Sequence, residues 1–364
     1  MSLEGKNKKI YFEIMRIIAC TLVLFNHLPG YMLFNKSSGL KQMGYMTLTM
    51  LTRINVPIFF MISGALLFGR SDDFISVQKK RTLRIIYLLV LFNAILFIIQ
   101  KYEFLVKGKS PDLKIKDFFL SLLNKSIPGA GTYWYLYAYL GVLFLLPFMQ
   151  RIAKEITKTE IIALIILHFV TASLFPMINI FLAYRKIDIS IYICGDFSVP
   201  FAFEKPFFYT LVGYYLEHNI NYTKIKTKHL VTLILLGIIG IALSNVCTLM
   251  DAKINGSYSQ NYVQLFDYMT TIVVFIVIKY LVIVKNKTYR PRVEKVVCFM
   301  GSMTLGIYMI DPCLKQLFFE DYNNRMEPLL PTMMVTIGWI IFSMISGTII
   351  TIVLKKIPFI KKII

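Results

Sequence analysis

The chain has 364 residues, of which 57% are hydrophobic and 16% charged, with a formal net charge of +20. Soluble domains usually carry about a quarter charged residues, so this composition excludes an ordinary water-soluble globule. The positive charge does not point to nucleic acid either. The lysines and arginines gather in short segments between apolar runs of roughly 18 to 25 residues, the length that crosses a bilayer.

In chain order, apolar runs bounded by charge predict helices over 11–34, 45–69, 82–100, 133–150, 160–182, 200–216, 229–249, 262–284, 296–319 and 329–354. About ten spans put both termini on one side of the membrane. Taking the amino terminus as cytoplasmic places six basic clusters inside: Lys6, Lys8, Lys9; Arg70, Lys79, Lys80, Arg81, Arg84; Arg151, Lys154, Lys158; Lys224, Lys226, Lys228; Lys285, Lys287, Arg290, Arg292; and Lys355, Lys356, Lys361, Lys362. The exception is 101–132, where Lys107, Lys109, Lys114, Lys116 and Lys125 sit in a longer loop with its own amphipathic stretch, "LKIKDFFLSLL".

The expected fold is therefore all-α: a polytopic transmembrane helical bundle with both termini cytoplasmic. Residues 1–364 are expected to form one integral-membrane domain, with no fused soluble domain and no cleaved leader. The five cysteines (Cys20, Cys194, Cys247, Cys298, Cys313) are odd in number and contain no CxxC pair, so they read as small core residues and not as a disulfide frame. No metal-ligand spacing and no phosphate-binding glycine loop is present, so no metal and no bound cofactor is expected.

The first predicted span carries charge that lipid would not tolerate unaided. Arg16 and His27 are eleven residues apart, which on one helix leaves them about 20° apart around the axis and about 16 Å apart along it. Glu13, three residues before Arg16, can pair with the guanidinium and lower the cost of placing it in the bundle. A structural ion pair and a hydrogen-bonded core histidine would explain each residue singly. Three on one stripe at membrane depth favour function, and histidine is the side chain whose ordinary pKa suits a general base near neutrality.

These residues carry a resemblance. "YFEIMRIIACTLVLFNH" resembles the opening of the membrane-integral acyltransferases grouped as acyltransferase family 3, in which an acidic residue, an arginine and, after ten residues, a histidine share the first helix. "RINVPIFFMISGALLF" (53–68) is similar to the family's second helix, and "KKRTLRIIY" supplies its basic pair, Arg81 and Arg84, at the start of the third span. "YWYLYAYLGVLFLLP" (133–147) resembles the aromatic fourth helix, and "PFFYTLVGYYL" and "LGIYMIDP" extend the match in family order. Two positions depart. Many members have a histidine before the Trp-Tyr-Leu of the fourth helix, where this chain has Thr132 and Tyr133. Many also end a late helix in Tyr-Leu-x-His-Pro, where this chain reads Tyr308-Met309-Ile310-Asp311-Pro312.

The resemblance implies a bacterial plasma-membrane enzyme that moves an acyl group, acetyl by preference, from acyl-coenzyme A to a hydroxyl of a cell-surface polysaccharide or lipid-linked glycan precursor. It implies a catalytic set of His27, Arg16 and Glu13, with His27 taking the hydroxyl proton. Donor contacts would come from Arg16, Arg81 and Arg84, since the arginine fork matches phosphate oxygens. Arg53, Trp134, Tyr135 and Asp311 would bind the acceptor or support the site. The plainer readings are an inside anchor for Arg81 and Arg84, interfacial snorkelling for Arg53 and an aromatic belt for Trp134 and Tyr135. Ser63-Gly64 reads as close helix packing before it reads as a nucleophile. His168 reads as a packed core residue, and His218 and His229 as solvated. The rival function is a multi-pass transporter for a glycan or small metabolite, which also needs charge facing a cavity at membrane depth. A minor alternative is the membrane half of a system completed by a separate, unidentified partner protein.

Overall fold

A computed structural model describes residues 4–106, 114–194, 196–258, 262–284 and 291–364, with side chains from residue 10 onward. Of the loop charges weighed above, Lys107, Lys109, Lys285, Lys287, Arg290 and the side chains of Lys6, Lys8 and Lys9 lie outside the described residues. Every regular element among the described residues is a helix.

Among the described residues, six helices are long and apolar enough to cross a membrane: Gly39–Leu67, Phe74–Val106, Lys158–Tyr184, Thr227–Asn255, Pro291–Met326 and Thr332–Leu354. The number rises to eight if two bent helix pairs, Ile10–Asn26 with Pro29–Lys36 and Ala130–Phe144 with Leu146–Glu155, each count as one span. The spans expected over 200–216 and 262–284 are present as helices but shorter, Lys205–His218 with 14 residues and Asp267–Ile283 with 17. At about 1.5 Å per residue they reach roughly 21 and 26 Å, short of the ~30 Å hydrocarbon core. Hydropathy had assigned to lipid what the fold surrounds with protein: Phe208, Tyr209, Leu211 and Val212 on one helix are buried, as are Phe275, Ile276 and Lys279 on the other.

The long spans show the opposite pattern. Thr227–Asn255 buries Gly237, Gly240, Ser244, Asn245, Thr248 and Asp251 while exposing Val231, Leu235, Ile238, Ile239 and Val246. Thr332–Leu354 buries Thr336, Ser343, Gly347 and Thr351 and exposes Ile337, Ile341, Ile345 and Ile349. Polar and small groups inward with apolar groups outward is the arrangement for a lipid solvent, where polar side chains must find partners in the bundle. Asn245, for example, donates to Thr47 at 2.9 Å.

The chain divides into two compact units. The first comprises residues 1–71 and 149–298, the second 72–148 and 299–364. In the first, the Glu4–Asn26 helix packs on Asn55–Leu67 and on Asp267–Ile283. Asn55–Leu67 in turn meets Lys205–His218 at extreme closeness. A Cβ on Gly64 would stand 1.8 Å from the Thr210 carbonyl oxygen, and one on Gly213 would stand 2.2 Å from the Met61 carbonyl oxygen. No side chain fits there, so glycine is required on both helices. Ser63 meanwhile donates to its own helix at Phe59 O, 2.8 Å away, as a packing residue does. In the second unit, Leu83–Val106 packs against Ile115–Asn124, Trp134–Phe144 and Pro358–Ile363. Ile115–Asn124 is the amphipathic stretch of the sequence, with Ile115, Phe119, Leu120 and Leu123 exposed on one side.

Candidate functional site

The first span does not continue as one helix. It ends at Asn26, His27 lies in the turn that follows, and the chain then bends by 58° into a 3-10 segment, Pro29–Lys36. Pro29 explains this: it has no N–H for the Phe25 carbonyl, and it drives Leu28 out of the helical region to φ −120°, ψ 158°. The Leu28 N–H takes over the Phe25 carbonyl at 3.1 Å, and His27 N–H bonds Leu24 O at 3.1 Å. His27 therefore stands half-buried at the break of a span, not on the helical stripe expected from its spacing to Arg16.

Deeper in the same helix, Arg16 Nη1 bonds Glu13 Oε1 at 2.5 Å, with the two side chains 28% and 15% exposed. The other carboxylate oxygen, Glu13 Oε2, is buried without a protein partner. The pair is thus formed as its three-residue spacing predicted. Arg53 caps the Gly39–Thr52 helix, and its guanidinium lies 4.9 Å over the ring of Tyr31, four residues beyond His27. Thr49 fixes the same segment by donating to the Tyr31 carbonyl at 2.7 Å. The structure therefore brings Arg53 onto the 3-10 segment that His27 opens, a proximity the sequence did not disclose.

The remaining predicted residues belong to the second unit. Arg81 sits in a π segment, Gln78–Thr82, and reaches Asp72 Oδ2 at 3.5 Å. The Arg84 fork closes on two backbone carbonyls, Ile363 and Ile364, each at 3.0 Å. Just past the last span, burial and then the neighbouring Arg84 charge hold the Lys355 ammonium below its usual pKa.

Trp134 is 46% exposed at the start of its helix. Tyr135 stacks on Tyr139 at 5.9 Å and stands edge-on to Tyr308 at 6.2 Å. Around it, Tyr133 OH donates to Met309 O at 2.8 Å while Tyr308 OH donates to Thr132 O at 2.5 Å. These reciprocal bonds tie residues 132–133 to 308–309. Asp311 is 2% exposed and accepts from Ser343 at 2.8 Å. It lines a cavity of about 670 Å³ together with Thr132, Gln100, Glu103, Lys315 and Glu320. The two positions that depart from the family pattern, in distant parts of the sequence, thus border one cavity. Pro312 prepares this wall: it withholds an N–H from the Tyr308 carbonyl, and a π segment, Lys315–Phe319, follows.

Sequence reasoning missed a buried ion pair in the first unit. Lys279 Nζ lies 2.7 Å from Glu217 Oε2, with the side chains 4% and 9% exposed, and also bonds the carbonyls of Leu216 and Glu217 at 3.3 and 3.0 Å. Tyr11 OH donates to Glu217 Oε1 at 2.6 Å, and Tyr222 offers its ring face to the ammonium at 4.2 Å. Burial and then the Glu217 charge raise the Tyr222 phenol well above its ordinary pKa, so it stays protonated. The available signal was one charge in each of two apolar runs, "YTLVGYYLEH" and "VVFIVIKYLV". His218, expected to be solvated, is exposed and also bonds the Ala65 carbonyl through Nε2 at 2.9 Å.

A family model described as an acyltransferase domain matches residues 9–356, nearly the whole chain. No curated protein and no solved structure matches it.

Proposed function

The chain belongs to acyltransferase family 3, and from that premise we propose that this multi-pass membrane acyltransferase carries an acyl group, acetyl by preference, from acyl-coenzyme A to a hydroxyl of a cell-surface polysaccharide or lipid-linked glycan precursor. It works in a bacterial plasma membrane with both termini cytoplasmic, a topology that rests on the loop charges. The observation that carries the reading is the first span, where a Glu13–Arg16 pair is followed by His27 at a helix break.

In this scheme the acceptor oxygen attacks the thioester carbonyl as its proton passes to His27. The carbon–sulfur bond then breaks, and His27 returns the proton to the departing thiolate, leaving an ester and free coenzyme A. Arg16, oriented by Glu13, meets negative charge on the donor. Arg81 and Arg84 are assigned to donor phosphates as well, since each guanidinium has N–H groups beyond those used on Asp72 and on the carbonyls of residues 363 and 364. An anion beside Arg84 would also offset its charge on Lys355. Asp311 and Thr132 hold acceptor hydroxyls in the 670 Å³ cavity, a volume within the range of small-molecule sites, with Tyr135 and Trp134 giving ring faces nearby. Arg53 steadies the segment after His27.

Coenzyme A release from acetyl-coenzyme A with a cell-envelope glycan fraction tests this, comparing purified wild type with folded His27→Ala and Arg16→Ala variants. Acceptor-dependent release should be lost in both; its survival in His27→Ala would remove the proposed base. A broken span at a charged site is also what a transporter uses. Transport of a glycan without coenzyme A release from any envelope fraction would favour that second reading.

A further inference from the structure

The acyl-transfer scheme leaves one buried histidine unused. His168 lies in the Lys158–Tyr184 span, which is built from Lys158–Phe169, a π segment Val170–Leu174, and Phe175–Tyr184. Pro176 accounts for the widened turn, because it has no N–H to give the Ala172 carbonyl. Single π turns inside α-helices are frequent at functional sites, since they re-aim the side chains beside them.

The His168 ring is 1% exposed, stacks on Phe208 at 4.1 Å and 17°, and stands edge-on to Tyr268 at 5.0 Å. Its Nδ1 is 2.6 Å from the Ala202 carbonyl oxygen. A carbonyl only accepts, so Nδ1 carries the proton, and in the neutral ring Nε2 is an acceptor. That Nε2 is buried and has no protein partner. Buried polar atoms without partners are rare and call for a ligand or a solvent donor.

The ring borders a cavity of about 320 Å³, shared with Ala172, Pro176, Lys205, Tyr262 and Gln264. Asp267 also lines it, but both of its oxygens are engaged: Lys205 Nζ bonds Oδ2 at 3.1 Å and Tyr209 OH bonds Oδ1 at 3.0 Å. The Lys205 ammonium keeps further donors. The cavity therefore combines one acceptor that needs an O–H or N–H, one cation with donors to give and a carboxylate already satisfied. A carboxylate has no proton for Nε2, and any anion would lie beside Asp267.

We infer that this cavity is a binding subsite for a neutral, hydroxyl-rich group the size of one monosaccharide ring. One of its hydroxyls donates to His168 Nε2, and a neighbouring oxygen accepts from Lys205. The volume lies at the small end of ligand pockets, which admits a single ring. The saccharide class rests on the acceptor reading above; the donor and acceptor pattern rests on the cavity alone.

The test uses the full chain in detergent with ¹⁵N-labelled histidine. The chain has 4 histidines, so His27→Gln, His218→Gln and His229→Gln identify the His168 signals by elimination, without a change at 168. D-glucose, D-galactose, D-mannose and N-acetylglucosamine are titrated in turn, with phosphate and acetate as controls. The expected result is a saturable shift of the His168 Nε2 signal with at least one sugar, and a roughly tenfold to hundredfold higher half-saturation in Lys205→Met, the value of one hydrogen bond to a charged group. No shift with any of the four sugars overturns the inference, as does a shift with phosphate but none with sugar. An unchanged half-saturation in Lys205→Met removes Lys205 from the subsite. Coenzyme A release alongside an unmoved His168 signal would leave acyl transfer standing and sink the subsite. A sugar-dependent shift without coenzyme A release would do the reverse.

Discussion

Replacing Lys279 by methionine should destabilise the first unit severely, whereas replacing both members of its ion pair should not. The lysine is 4% exposed and Glu217 9% exposed, so neither charge can turn to water when its partner is removed. Breaking a buried pair from one side leaves an uncompensated charge and costs about 3–5 kcal/mol. With about 2 °C per kcal/mol for a large domain, Lys279→Met should lower the unfolding midpoint by about 6–10 °C. Lys279→Met/Glu217→Leu removes both charges together, a change that in other proteins runs from neutral to about 1–4 kcal/mol stabilising. It also strips Tyr11 OH of its acceptor, which costs about 1–3 kcal/mol. The double variant should therefore fall close to wild type. The assay is thermal unfolding in detergent, followed by a thiol-reactive dye that reports Cys20, Cys247 and Cys313, all buried in the folded chain. A double variant as unstable as Lys279→Met, or a single variant within about 1 kcal/mol of wild type, would refute the reasoning, because a partly solvated pair contributes no more than that.

Three further outcomes follow from packing and from the cavity of the second unit. Gly64→Val should abolish folding or cost at least about 4 kcal/mol in the same unfolding assay, since the new Cβ would stand 1.8 Å from the Thr210 carbonyl oxygen. Ser63→Ala should stay within about 0.5 kcal/mol of wild type and keep its coenzyme A release, which a nucleophilic serine would not allow. Asp311→Asn retains a partner for Ser343 but loses the charge. It should raise the KM for the acceptor roughly tenfold to a hundredfold, the worth of a hydrogen bond to a charged group. An unchanged KM would take Asp311 out of acceptor binding.

The sequence disclosed most where one residue type has one physical consequence in any fold. Glu13 and Arg16 pair because three residues on a helix bring side chains together whatever surrounds them. Gly64 is a packing glycine because small residues in an apolar helix serve close approach, and the crossing with Gly213 bears this out. The amphipathic 115–124 helix follows from its own periodicity. Where the outcome depends on a distant partner, the reading fell short. Apolar runs at 205–218 and 267–283 look the same to hydropathy whether lipid or protein surrounds them, so helices too short to span were counted as spans.

The His27 stripe is the more instructive departure, since its cause was local. Periodicity extends a helix through any apolar run, but Pro29 takes away the N–H that the Phe25 carbonyl needs, and the helix stops at Asn26, three residues before the proline. The same rule places π segments beside Pro176 and after Pro312, each at a cavity wall. In a membrane, a backbone freed from its helix must find partners within the protein or at a cavity. Pro29, Pro176 and Pro312 therefore stand where the helical ladder is broken or widened. His27, His168 and Asp311 each stand within eight residues of one, next to an altered turn. The family departures at Thr132 and Asp311 belong to the same argument: they are read singly in the sequence, yet the ties between Tyr133 and Met309 and between Tyr308 and Thr132 make them one wall. If this wall binds the acceptor as proposed, Asp311→His alone should not restore a family-like acceptor preference unless residue 132 or 133 is changed with it.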